Sequence, residues 1–142
     1  PLPSAKRCFE LGKAVGEIIQ KIDSDLKFLM VGTGGLSHQL DGERAGFINK
    51  DFDKEFMNSM LSNPHWATQF SNYELVEKVG TQGIELIMWL AARAALPGDV
   101  KPITSTYHVP ISNTAGGIML LENLAFCKGS EKHLALGEFA SL

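Results

Sequence analysis

The chain has 142 residues, 44% of them hydrophobic and 20% charged, with thirteen Lys and Arg against sixteen Asp and Glu for a formal charge of −3. That length supports one domain with a real core, and mild acidity without a basic stripe argues against a nucleic-acid surface and for a small-molecule partner. Cys8 and Cys127 stand outside any CxxC pattern and no signal peptide is visible, so reduced thiols in a cytoplasmic setting are expected; the apolar run from Ile84 to Leu96 contains Glu85 and Arg93 and is too short to span a bilayer, so no membrane role is expected.

Ser4 is placed to cap a helix running to about Ile22, with Cys8, Leu11, Val15, Ile18, Ile19 and Ile22 forming an apolar face that should cover a sheet. Lys27 to Val31 reads as a short buried strand. It leads into Gly32-Thr33-Gly34-Gly35, whose glycines allow close approaches that a Cβ would block, and then into His38 at a position a ligand should reach. The turn has neither the GxGxxG spacing nor the Gly-Lys-Ser/Thr ending of a phosphate cradle. A polar segment from Asp41 to Lys50 precedes a helix over Asp51 to Leu61, with Phe52, Phe56, Met57 and Met60 inward and a stop near Asn63-Pro64. Ser71 with Glu74 makes a capping box for a helix that Gly80 ends or kinks, and a further helix extends from Thr81 or Gln82 to about Leu96. Ile103 to Val109 and Ala115 to Leu121 read as strands, and 125–142 as a short helix or a mobile tail. The pattern predicts a single α/β unit with a mixed central sheet flanked by helices.

Two positions stand out chemically. His38, straight off a glycine turn, suits proton transfer, although a lone histidine also commonly satisfies only a local hydrogen bond. Glu85 is the lone acid in an apolar helical stretch, and its helical neighbours Thr81, Gln82, Met88 and Trp89 include no cation. A buried carboxylate needs a partner, so a distant Arg or Lys, a hydrogen-bonded network, or a metal ion must meet it. His65 and His133 read as solvated, His108 as either packed or facing a pocket, and Ser112-Asn113-Thr114 as small polar donors in a turn.

Gly32-Thr33-Gly34-Gly35-Leu36-Ser37-His38-Gln39-Leu40, Gly42 to Lys50, Gly83-Ile84-Glu85-Leu86-Ile87-Met88-Trp89 and Tyr107-His108-Val109-Pro110-Ile111-Ser112-Asn113-Thr114 occur in this order, and with them the chain resembles the class III extradiol ring-cleavage dioxygenases of the protocatechuate 4,5-dioxygenase β-subunit type, from about Pro1 to Asn123. The resemblance implies a non-haem Fe(II) held by two histidines and a glutamate, cleaving a carboxylated catechol such as protocatechuate or gallate with O₂. It implies Glu85 as the iron-ligating glutamate and His38 as the acid/base histidine that does not bind iron. Ser112 and Asn113 fall in a segment lining the substrate pocket, and His108 lies beside it, away from iron. The family's two histidine ligands come from an N-terminal half that nothing in this chain matches. Residues 1–124 are therefore expected to be the C-terminal half of a larger catalytic α/β domain, an expectation the Pro1 start favours, with an oligomer and a small α-type subunit as possible assembly. The alternative is a truncated or non-catalytic member of the fold that serves as a binding or assembly module.

Overall fold

The structure, a computed structural model, describes residues 2–124, so the expected tail, with Cys127 and His133, lies outside the described residues. Four helices and a hairpin follow one another: α1 (Ala5–Ile19), α2 (Lys50–Ser62), α3 (Asn72–Val79), α4 (Ile87–Ala94), β1 (Val100–His108) and β2 (Gly116–Asn123). The α/β class holds, and the sheet among the described residues is a two-stranded antiparallel ladder. Its register shifts between Pro102 and Thr104, beside the one residue of the strand that has no N–H to donate.

Ser4 and Ser71 cap where the sequence places them, and Asn49 caps α2, for which no cap was expected. Ser4 accepts the Arg7 N–H, Asn49 accepts the Phe52 N–H, and Ser71 and Glu74 complete the reciprocal box at the start of α3. Helix α2 buries Phe52, Phe56, Met57 and Met60, which form the core with Leu36, Leu75, Val79, Leu86, Ile87 and Leu90. Buried Arg93 ties the end of α4 to this core by donating to the carbonyls of Met60, Leu96 and Gly98.

Three expectations are corrected. Helix α1 buries Ala5, Cys8, Phe9, Gly12 and Gly16, while Leu11 and Ile18 are 63% and 60% exposed. Gly12 and Gly16 lie directly against the carbonyls of Ala91 and Ala95, where any Cβ would collide, so close helix-to-helix approach selects the small-residue face and α1 packs on α4 rather than over a sheet. Lys27 to Val31 forms no strand, and Phe28, Leu29 and Val31 are exposed. A strand needs a ladder partner, and none of the described residues pairs with these backbone groups. Leu29, Val31, Trp89, Ile118 and Leu120 instead line an open apolar groove of about 470 Å³, which reaches Gly32 but includes neither His38 nor Glu85. Finally, the single helix expected from residue 81 or 82 to about residue 96 divides into a 3₁₀ turn, Gly83–Leu86, and α4. No helix among the described residues is long and apolar enough to cross a membrane.

Candidate functional site

Residues 36–38 are the centre of the site because backbone hydrogen bonds hold them on two sides. Leu36 N–H donates to Ala115 O (2.9 Å) and Ala115 N–H to Ser37 O (3.2 Å), while His38 pairs with Thr114 as an isolated antiparallel bridge. From the other direction, His38 N–H donates to Val79 O (2.8 Å) and Gly83 N–H to His38 O (3.2 Å). The Gly turn before it is shaped by contact. Gly34 has φ 122°, and a Cβ there would stand 2.9 Å from Glu85 Cγ. A Cβ on Gly35 would stand 2.9 Å from His38 Cε1, and Trp89 Nε1–H fixes the turn by donating to Gly34 O (3.0 Å).

This clamp makes His38 less accessible than its place after a glycine turn suggests: its side chain is 6% exposed. Nδ1 lies 2.8 Å from Leu36 O. A carbonyl can only accept, so Nδ1 carries the proton, and in the neutral ring Nε2 keeps its lone pair. Nε2 lies 3.6 Å from Glu85 Oε1, too long for a hydrogen bond but within ion-pair distance.

Glu85 is not the buried acid that the apolar sequence around it implies. The 3₁₀ turn rotates it out, its side chain is 47% exposed, and Oε1 accepts the Gly35 N–H at 2.6 Å. No donor among the described residues reaches Oε2. The exposed carboxylate therefore lies at the surface over the buried imidazole.

The buried acid of this region is Asp53, which sequence reasoning passed over. Its side chain is fully buried on α2 and accepts the Ser37 N–H (2.8 Å), the Ser37 Oγ–H (2.6 Å) and the Tyr107 hydroxyl (2.8 Å). Burial raises the carboxyl above its ordinary range, opposed by the bonds from Ser37 and Tyr107 and by a positive charge on His38. Burial, together with the hydrogen bond and charge of Asp53, raises the Tyr107 phenol well above the usual tyrosine range. One signal was available: Asp53 sits three, four and seven residues from Phe56, Met57 and Met60, on the apolar stripe of α2.

Ser112 and Asn113 are exposed in the turn between β1 and β2, adjacent to the Thr114 that bridges to His38. Asn113 adopts φ 52° and its N–H donates to Pro110 O. His108, at the end of β1, is exposed; His65 is exposed and tilted against Phe9, with ring centroids 4.2 Å apart. Among the described residues no group of three or more His, Cys, Asp or Glu could hold a metal ion. A centre of two histidines and a carboxylate is not complete in these residues alone, because among the described residues Glu85 is accompanied by one histidine, His38, and no third donor joins them.

Residues 1–117 match the family described as the catalytic LigB subunit of aromatic ring-opening dioxygenase. Over 123 residues, 87% of the chain, the sequence is 38% identical to the gallate dioxygenase of Pseudomonas putida, and it spans 36% of that protein's length. By this match over most of its length, the chain belongs to the family of the catalytic LigB subunit of aromatic ring-opening dioxygenase.

Proposed function

We propose that the protein is an extradiol dioxygenase that opens a carboxylated catechol, such as gallate or protocatechuate, with incorporation of O₂. In this reading residues 1–124 are the C-terminal half of the catalytic domain. The family match and the 38% identity to a gallate dioxygenase support the reaction class. The observation that carries the residue roles is the pairing of a tautomer-fixed imidazole with an exposed carboxylate 3.6 Å away.

His38 is the acid/base group. With the proton of the neutral ring held at Nδ1 by Leu36, Nε2 accepts a proton from a catechol hydroxyl and returns one to the opening ring, work worth about 10²–10⁴ in rate. Ser112 donates its hydroxyl to the ring carboxylate of the substrate, and Asn113 orients the same group from the adjacent position. Glu85 contributes one carboxylate to an Fe(II) whose histidine ligands lie outside the described residues. An oligomer with a small α-type subunit and a cytoplasmic setting belong to the same proposal.

A second reading, a binding or assembly module on this fold, is favoured by the incomplete donor set among the described residues. Oxygen uptake separates the two. The protein expressed from its complete reading frame and loaded anaerobically with Fe(II) should consume O₂ and give a ring-opened, visible-absorbing product with gallate or protocatechuate. Iron-loaded protein that binds either catechol but consumes no O₂ would establish the module instead.

A further inference from the structure

The peptide joining Leu36 to Ser37 is gripped at both of its polar ends. Its N–H donates to Asp53 Oδ1 at 2.8 Å, and its C=O receives Nδ1 of His38 at 2.8 Å. Because a peptide is planar and trans, fixing the direction of the Ser37 N–H fixes the direction of the Leu36 carbonyl. We propose that Asp53 is a positioning residue for His38, acting through this peptide to aim the Leu36 carbonyl at Nδ1 and so present Nε2 toward Glu85.

The surroundings of Asp53 fit that task. Its second oxygen is fixed by the Ser37 hydroxyl at 2.6 Å and the Tyr107 hydroxyl at 2.8 Å, and the Ser37 hydroxyl in turn accepts the Asn49 N–H at 2.7 Å. The carboxylate thus ties α2, the His38 segment and β1 together. No cation among the described residues forms an ion pair with it. A buried acid left to three neutral donors is costly when only packing is at stake, since an apolar side chain of that size fills the same space. Its negative charge has an outlet, however. Hydrogen bonds in a chain polarise one another, so the carboxylate on the N–H end makes the carbonyl end a stronger acceptor for Nδ1–H. The arrangement is a carboxylate–histidine pair with a peptide unit between its members, and it steadies the ring as a direct carboxylate partner would.

The inference rests on the acid/base role proposed for His38, and its test has a readout independent of that role. Asp53→Asn keeps shape and the acceptor for the Ser37 N–H but removes the charge and turns an amide NH₂, a donor, toward the Ser37 and Tyr107 hydroxyls. In the protein with ¹⁵N-labelled histidine, wild type should show His38 as the pure Nδ1–H tautomer, and Asp53→Asn a mixture. Turnover per iron should fall about 10–100-fold, the usual cost of losing a group behind the reacting residue, with KM within about twofold. Tyr107→Phe, which removes one donor and leaves the carboxylate, should move both readouts in the same direction by less, and it carries the test if Asp53→Asn does not fold. An unchanged tautomer with unchanged turnover per iron, or a change confined to KM, overturns the proposal. A shifted tautomer in a protein whose wild type opens no ring leaves Asp53 as positioning residue and removes the catalytic role of His38.

Discussion

Replacing Gly34 by Ala tests the turn that sets His38 and Glu85 together. At φ 122° an L-residue is strained by about 1–3 kcal/mol. The new Cβ would stand 2.9 Å from Glu85 Cγ and 3.1 Å from Glu85 O, and the second of these is backbone that cannot swing aside. Forcing that contact open adds about 1–3 kcal/mol, as in other overpacked sites. The expected loss is therefore about 2–6 kcal/mol, a large share of the roughly 5–15 kcal/mol that holds a domain folded. Gly98→Ala is the control, because its φ is 68° and a Cβ there meets nothing within 4 Å, so only the backbone cost of about 1–2 kcal/mol applies. Urea denaturation followed by tryptophan fluorescence reads both, with equal slopes required for the comparison. A Gly34→Ala loss no larger than that of Gly98→Ala would refute the contact with Glu85 as the reason for glycine at this position.

The small-residue face of α1 predicts an inversion of the usual rule for apolar residues: Leu11→Ser and Ile18→Ser should change stability by less than about 0.5 kcal/mol, whereas Gly12→Ala should cost more than about 1 kcal/mol. Urea midpoints check it, and a costly Leu11→Ser would show that the apolar stripe is the buried one. For Asp53 the sign of the pH dependence follows from its raised folded-state value. Its contribution is full below the ordinary value of 3.8 and is lost as pH rises through the higher folded value, so the stability advantage of wild type over Asp53→Asn should shrink over the interval that starts at pH 3.8 and runs up through that folded value. An advantage that grows over that interval contradicts the burial-driven shift. Phe56→Ala, at a fully buried position, should cost about 3–5 kcal/mol by the same denaturation assay, and a loss under about 1 kcal/mol would show that α2 does not face the core.

Much of the fold was legible because its causes are local. Phe52, Phe56, Met57 and Met60 recur at helical spacing, Ser71 and Glu74 specify a cap, and the strands show as a β-branched and aromatic stretch from Ile103 and an apolar run from Ala115. What was misread depended on distant partners. The apolar stripe of α1 lost to two glycines whose value appears only when α4 lies against them, and Lys27 to Val31 has strand composition but no ladder partner among the described residues. The site divides in the same way. The Gly turn, His38 and Glu85 could be picked out along the chain, but the burial of His38 follows from backbone bonds to Val79, Gly83 and the Thr114 segment, and the exposure of Glu85 from a bond to Gly35 across 50 residues and a 3₁₀ turn inside an apolar run. Asp53 shows its burial by its place on the apolar stripe of α2, but it reaches Ser37 across 16 residues and Tyr107 across 54, so its partners are visible only in three dimensions.

The division of labour between His38 and Glu85 is tested most directly by iron content and turnover measured together on His38→Ala and Glu85→Ala, in the protein expressed from its complete reading frame. The acid/base role predicts that His38→Ala retains Fe(II) near wild-type stoichiometry and loses at least about 100-fold in O₂ consumption with gallate, whereas Glu85→Ala fails to retain the metal. Loss of iron in His38→Ala, or full turnover in either variant, would contradict it.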